Sequence, residues 1–189
     1  MRIVSGRFKG TALTSVGKGD AGAHLRPTTD RVRESIFNLL VNGGYGDPVR
    51  GARVLDLFAG TGALGLEALS RGAEFVQFVD DGAKAQRLIR DNINLLRVQS
   101  ETKLYRRDAR KLGPVEGAPF DLVFLDPPYG KAMGQKALSA ARDGGWIAPE
   151  ALIVWEENAP QPTPEGFEQY DMRTYGDTCV HILGLADAG

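Results

Sequence analysis

Residues 54–65, Val54-Leu55-Asp56-Leu57-Phe58-Ala59-Gly60-Thr61-Gly62-Ala63-Leu64-Gly65, join an apolar run to a glycine-rich loop. The run is typical of a buried strand, and the glycines satisfy a G-x-G-x-x-G pattern that leads into a helix. Glycines at such a turn let the chain bend sharply and let a ligand lie against the main chain. The pattern predicts a strand, loop and helix with a nucleoside-type ligand, and a tight turn without ligand is the alternative.

One carboxylate in this unit narrows the choice of ligand. Asp56 stands at the strand end, before the glycines, where it would repel a pyrophosphate and attract an ammonium or sulfonium group. A nicotinamide-dependent oxidoreductase is therefore disfavoured. Asp80 with Asp81, after the next strand, is a candidate for binding ribose hydroxyls, and Asp108, after the third, for binding an adenine amino group. Which of Asp80 and Asp81 holds the ribose stays open.

Beyond residue 53, apolar runs rich in β-formers alternate with helical patterns. The runs cover residues 54–58, 75–79, 103–105, 120–125 and 151–155, and the segment from Ala83 to Leu96 has its apolar residues on one helical face. This alternation predicts an α/β fold of Rossmann type, with a mostly parallel sheet covered on both faces. Residues 167–174 and 178–183 flank a turn at 175–177 and predict a closing antiparallel hairpin.

The N-terminal residues follow a different pattern. Short β-like segments at 2–4 and 11–13 predict a small hairpin, and a helix then begins after Thr28 or Thr29 and ends near Asn42-Gly43-Gly44. We expect residues 1–45 to form an extension and residues 46–189 to form the ligand-binding core. We expect the two parts to pack as one compact unit.

Asp126-Pro127-Pro128-Tyr129 follows the most apolar strand, at the end where open α/β sheets bind ligands. Two prolines remove two N–H donors, so carbonyl oxygens and the Asp126 carboxylate present only acceptors. Such a group can hold both hydrogens of an exocyclic amine on a nucleobase, whose ring can stack on Tyr129. The corner predicts methyl transfer to an amine, with Asp126 positioning it or accepting its proton; a rigid turn is the alternative.

Positive charge is concentrated near the N-terminus. Residues 1–33 carry seven basic and two acidic residues, whereas the other 156 carry 16 basic and 22 acidic ones. Such an end can contact phosphates while the rest of the molecule stays neutral to acidic. A solvated terminus is the other interpretation of the charge pattern.

The composition argues against several classes of protein. The chain has 189 residues, 42% of them hydrophobic, a net charge of −1, and no apolar stretch that could span a bilayer. The first residues lack the apolar core of a signal peptide, and a single cysteine offers neither an internal disulfide nor a metal-ligand cluster. We therefore expect a cytoplasmic protein without a metal, with no membrane association, and, for want of an apolar interface, a monomer.

Taken together, the two motifs resemble those of class I S-adenosylmethionine-dependent methyltransferases. Arg2-Ile3-Val4-Ser5-Gly6 with Lys9-Gly10, and the segment from Arg26 to Asn38, further resemble the bacterial RsmD family over nearly the whole chain. The resemblance implies a seven-stranded sheet with an antiparallel final strand. It also implies methylation of the N2 amino group of one guanine in 16S rRNA, on the 30S ribosomal subunit or its assembly intermediate, with S-adenosylhomocysteine as product.

The residues expected to act fall into three groups. The target-amine residues are Asp126, Pro127 and Tyr129. The cofactor residues are Asp56, Phe58, Ala59, Gly60, Thr61, Gly62, Asp80, Asp81 and Asp108. The charge pattern and the resemblance together assign RNA contacts to Arg2, Arg7, Lys9, Arg26, Arg31 and Arg33.

The two motifs alone leave the acceptor open. They would also suit an enzyme that methylates adenine or cytosine in DNA or a glutamine amide in a protein, and only the N-terminal resemblance favours rRNA guanine. A non-catalytic RNA-binding assembly factor with the same fold is a further alternative, disfavoured by the intact Asp126-Pro127-Pro128-Tyr129 corner.

Overall fold

A seven-stranded sheet lies at the centre of the molecule; the computed structural model describes residues 1–15 and 28–187. In chain order the strands are β1 (Arg53–Leu57), β2 (Phe75–Val79), β3 (Thr102–Tyr105), β4 (Phe120–Leu125), β5 (Ile147–Glu157), β6 (Phe167–Tyr175) and β7 (Thr178–Leu185). The helices are α1 (Asp30–Asn42), α2 (Ala63–Ser70), α3 (Ala83–Leu96) and α4 (Met133–Asp143). Short 3-10 turns cover Gln99–Glu101 and Ala109–Lys111.

The strand order is β3-β2-β1-β4-β5-β7-β6, and β1 to β5 run parallel to one another. Strand β7 inserts antiparallel between β5 and β6, as a hairpin with β6. The predicted α/β fold, with its mostly parallel sheet and antiparallel C-terminal hairpin, is therefore confirmed. The order reverses between β1 and β4, and in such sheets ligands bind beside the carboxyl ends of the strands at this point.

Alternating strand residues supply two cores, one on each face of the sheet. Val54 of β1 joins a cluster with α1, α2 and α3, whereas the next residue, Leu55, joins a cluster with α4. Because both faces are covered, the inner strands are apolar almost throughout, as in other parallel sheets. Helix α3 has the predicted bounds, and β5 begins at Ile147, four residues before the predicted run at 151.

The N-terminal residues lie against the first of these cores, to which Ile3 and Leu13 contribute. The predicted hairpin is present as a single antiparallel bridge between Arg2 and Ala12, next to a hydrogen bond from the Ile3 N–H to the Thr11 carbonyl. Thr29 is the N-cap of α1, where its hydroxyl accepts from the Val32 N–H. None of the helices in the described ranges is both long and apolar enough to cross a membrane.

Candidate active site

The glycine loop connects β1 to α2 and brings the backbone close to the neighbouring strand. Gly62 is the N-cap of α2 with φ +80°, a left-handed backbone conformation that residues other than glycine rarely adopt. A Cβ at Gly65 would lie 2.6 Å from a ring carbon of Phe78 and 2.7 Å from a methyl group of Val76. The third glycine therefore allows α2 to pack directly on β2.

Asp56 lies beneath this loop and is almost fully buried. Its carboxylate accepts a hydrogen bond of 3.0 Å from the Gly65 N–H in the first turn of α2. Burial raises the pKa of Asp56 well above its ordinary value, and the negative charges of Asp126 and Asp80 act in the same direction, against the Gly65 hydrogen bond. An adjacent cation would favour the charged form, so this carboxylate suits a positively charged ligand.

Asp80 follows β2 and approaches the same loop from the other side. Its carboxylate accepts hydrogen bonds from the Gly60 N–H at 3.0 Å and from the Gly82 N–H at 2.9 Å, whereas Asp81 is exposed. Burial raises the pKa of Asp80, against the effect of these two N–H donors. Of the two acids left open by the sequence, Asp80 is the one in contact with the glycine loop.

Asp108 follows β3 and has strong local partners. It caps the turn at Ala109–Lys111 by accepting from the Arg110 N–H, and it forms an ion pair of 2.7 Å with the Arg110 side chain. That hydrogen-bonded ion pair holds the pKa of Asp108 below its ordinary value. An adenine amino group would have to share this carboxylate with Arg110.

The remaining loop residues differ in where they lie. Phe58 has φ 55° and is partly buried, and Ala59 is buried with its N–H bonded to the Val79 carbonyl. Thr61 is buried as well: its hydroxyl lies 3.6 Å from the Met1 sulfur and its carbonyl accepts from the Asn92 side chain. Thr61 therefore shapes the loop through contacts with the protein interior.

The Asp126-Pro127-Pro128-Tyr129 corner follows β4, the strand beside β1, and so lies next to the glycine loop. The Asp126 N–H is 3.4 Å from the Leu57 carbonyl, which joins the corner to the end of β1. Pro127 is buried, whereas Asp126 and Tyr129 are partly exposed. The loop and the corner thus lie at the carboxyl ends of adjacent strands, which allows one crevice to serve both.

Sequence reasoning missed two residues at this corner. The Thr28 hydroxyl lies 3.3 Å from an Asp126 carboxylate oxygen and 3.4 Å from a carboxylate oxygen of Glu156, in β5. Thr28 was considered as a helix cap and as part of the segment from Arg26 to Asn38, and Glu156 was not considered. An acid directly after a predicted buried strand, at the same sheet edge as Asp126, is the signal that points to Glu156.

The basic residues near the N-terminus do not all share one environment. The exposed ones are Arg2, Arg7, Lys9 and Arg31, and Arg26 lies outside the described residues. Arg7 stacks over the Phe8 ring and pairs with Glu101 at 2.8 Å, while the Arg2 side chain donates to the Gly10 carbonyl. These four residues are the described part of the predicted basic surface.

Arg33 is a correction to the sequence-based prediction. Its side chain is fully buried, donates to Glu67 at 3.1 Å and to Asp30 at 2.9 Å, and also contacts the Arg2 carbonyl. An RNA contact from this guanidinium is incompatible with its burial. The charge pattern could not separate it from exposed neighbours because its main partner, Glu67, is 34 residues away in sequence.

Comparison with known proteins places these features in a family. Residues 1–184 match the family model described as "Conserved hypothetical protein 95". A Bacillus subtilis protein named "Putative rRNA methyltransferase YlbH" is 39% identical over 188 residues, covering 96% of this chain and 97% of its own. The Escherichia coli "Ribosomal RNA small subunit methyltransferase D" is 36% identical over 186 residues, covering 96% of this chain and 88% of that protein.

The fold comparison agrees with the sequence comparison. The solved structure named "Putative methyltransferase yhhF from Escherichia coli" superimposes with a TM-score of 0.81 at 31% identity, covering 98% of this chain and 97% of that one. The family model spans nearly the whole chain, as do the relatives, and the sheet order and motif positions agree with the resemblance found in the sequence. The chain therefore belongs to the RsmD family of class I methyltransferases.

Proposed function

We propose that this protein transfers a methyl group from S-adenosylmethionine to the exocyclic N2 amino group of a guanine in 16S rRNA. The observation that carries the proposal is the adjacency of the glycine loop and the Asp126 corner, which are joined by the contact between the Asp126 N–H and the Leu57 carbonyl. The names of the relatives in Bacillus subtilis and Escherichia coli support an rRNA substrate.

The residues around the glycine loop fit such a cofactor. Gly62 adopts the left-handed conformation at the turn of the loop, and Asp56 supplies a buried carboxylate whose charged form a sulfonium or ammonium group would stabilise. Asp80 is the acid that contacts the loop, so we assign the ribose hydroxyls to it. Asp108 would bind the adenine amino group together with Arg110 as its existing partner.

The corner residues would hold the target amine. When bound, S-adenosylmethionine supplies an electrophilic methyl group, whose bond to sulfur breaks as the bond to N2 forms, leaving S-adenosylhomocysteine. Asp126 and the carbonyl oxygens around Pro127 accept the two amine hydrogens and so turn the nitrogen lone pair toward the methyl group. Tyr129 stacks on the base, and the proton lost from nitrogen passes to Asp126 or to water.

The exposed basic residues would contact the RNA backbone. Arg2, Arg7, Lys9 and Arg31 provide positive charge at one end of a chain whose net charge is −1. Phosphate contacts of this kind orient a substrate without reading its sequence. We propose that a cytoplasmic monomer acts through this surface on the 30S subunit or its assembly intermediate.

Methyl-labelled cofactor, incubated separately with unmodified small subunits, naked rRNA and DNA, tests the proposal by nucleoside analysis of the products. We expect N2-methylguanosine from the particles. Methylated DNA, or labelled protein without labelled RNA, would replace this proposal with one of the other amine acceptors. Failure to bind the cofactor at all would favour a non-catalytic assembly factor.

A further inference from the structure

A second carboxylate lies beside the target-amine corner. Strands β4 and β5 are parallel and in register, with Leu125 opposite Trp155, and an acid follows each of these residues, Asp126 and Glu156. Residues in register on parallel strands lie on the same face of the sheet. Glu156, which is 2% exposed, therefore lies on the same face and at the same sheet edge as Asp126.

The Thr28 hydroxyl marks the space between these two carboxylates. It lies 3.3 Å from an Asp126 oxygen and 3.4 Å from a Glu156 oxygen, so those two oxygens are within about 7 Å of each other. A hydroxyl has one proton and can donate it to only one carboxylate at a time. The space therefore already accommodates one hydrogen-bond donor, and adjacent N–H groups of a single base edge could reach both acids.

Guanine differs from the other amine-bearing bases in the ring nitrogen next to its amine. In guanine this nitrogen, N1, carries a hydrogen, so N1 and the N2 amine form a continuous edge of donors. In adenine and cytosine the corresponding ring nitrogen has a lone pair and accepts. A carboxylate opposite that nitrogen would attract guanine and repel the other two bases, because a site built for a donor leaves an acceptor unpaired.

We propose that Glu156 determines the base specificity of this site, with its carboxylate accepting the N1–H of guanine while Asp126 accepts from the N2 amine. This inference rests on the proposed function and deepens it. The base edge would take the position of the Thr28 hydroxyl between the two carboxylates. The motif pair alone suits several amine acceptors, and Glu156 is the residue that selects guanine among them.

A base analogue tests the proposal without changing the protein. 2,6-Diaminopurine keeps the exocyclic amine at C2 but has no hydrogen on N1. Once the modified guanosine is located, small subunits are reconstituted with 2,6-diaminopurine at that one position. We expect the wild-type enzyme to methylate guanine at least 100-fold faster than the analogue. Similar rates on the two bases would overturn the proposal.

The variant Glu156→Gln should change this preference. Its amide can donate to the N1 lone pair of the analogue, so the rate on 2,6-diaminopurine should rise. Its neutral carbonyl accepts the guanine N1–H more weakly than a carboxylate does, so the rate on guanine should fall and the ratio should drop by about 100-fold. Glu157→Gln is the matched control, because Glu157 is equally buried on the same strand but alternates to the opposite face. We expect it to keep the wild-type ratio.

The outcomes separate this proposal from the proposed function. Equal loss of rate on both bases in Glu156→Gln, with an unchanged ratio, would mean that Glu156 supports the structure and does not read N1. Absence of N2-methylguanosine from wild-type reactions on unmodified subunits would instead refute the proposed function. If Glu156→Gln fails to fold, as judged by loss of cofactor binding in calorimetry, the wild-type comparison of the two bases still decides.

Discussion

Arg33 and Glu67 form an ion pair of 3.1 Å in which neither side chain is exposed to solvent. Glu67 also accepts from the Val4 and Ser5 N–H groups and from Arg71. One carboxylate on α2 therefore joins the N-terminal segment, α1 and its own helix. A buried ion pair is stabilising only while both partners and their hydrogen bonds are present.

Glu67→Ala should accordingly destabilise the protein by about 3–5 kcal/mol, because the Arg33 charge would lose its buried partner and keep only the partly exposed Asp30, and the Val4 and Ser5 N–H groups would lose their acceptor. Urea unfolding followed by the fluorescence of Trp146 and Trp155 measures this. Glu74→Ala, which removes an exposed carboxylate, should change stability by less than about 0.5 kcal/mol. The double variant Arg33→Met, Glu67→Leu should be more stable than Glu67→Ala; a loss below about 1 kcal/mol in the single variant would contradict this account.

The exposed basic residues should govern RNA affinity but not cofactor affinity. Replacing Arg7, Lys9 and Arg31 by Ala should weaken RNA binding and reduce the slope of log affinity against log salt by about 2, since each lost phosphate contact contributes about 0.7 on single-stranded RNA. Filter binding across a salt series measures the slope. Calorimetry with the cofactor should give an unchanged affinity.

A charge-matched control checks that position matters and not only net charge. Ala at Arg50, Lys136 and Arg173 removes the same three charges from exposed positions on other parts of the surface. This triple variant should keep the wild-type salt slope. An equal loss of cofactor affinity in the N-terminal triple variant would show that its residues support the fold.

Asp126→Ala should lower the rate of methyl transfer by about 100-fold or more while leaving the fold and cofactor affinity intact, because one of the acceptors that orient the amine is lost. Single-turnover transfer at saturating cofactor measures the rate, and calorimetry measures the affinity. Asp143→Ala removes a carboxylate whose side chain is 68% exposed at the end of α4 and should transfer at the wild-type rate. Retained turnover in Asp126→Ala would refute the role assigned to it.

The parts of the structure that the sequence could predict are those determined by short-range patterns. Periodicity located α3 from Ala83 to Leu96, and the cap preference of threonine placed the start of α1 after Thr28 or Thr29, of which Thr29 is the cap. The glycine loop and the Asp126 corner were recognised because their motifs are contiguous, and a parallel sheet brings their strand ends to one edge. The comparisons confirm the family and leave the individual site residues as proposals.

The interactions that the sequence could not predict join residues far apart in the chain. The contact between Thr28 and Glu156 spans 128 residues, and no local pattern pairs a helix-cap threonine with that acid. Glu67 is the only charged residue in α2, whose other residues are mainly apolar. Because a charge on such a helix must be paired when buried, this isolated position was a signal that a partner would be needed, although it did not identify Arg33.

The raised pKa of Asp56 predicts a pH dependence of stability. The folded protein binds the Asp56 proton more tightly than the unfolded chain does. The stabilisation that this proton provides is therefore fully present at pH values below the pKa of Asp56 in the unfolded chain. The contribution is lost as pH rises through the folded pKa. Asp56→Asn has no charge to bury and keeps an oxygen that can accept from the Gly65 N–H. Its stability relative to wild type should therefore increase as pH rises from about 4 toward 8.

Urea midpoints of both proteins across this pH range measure the difference, and the sign is the decisive quantity. A profile for Asp56→Asn that runs parallel to that of the wild type would mean that burial does not disfavour the Asp56 charge, and the argument for a cation beside this carboxylate would lose its physical basis.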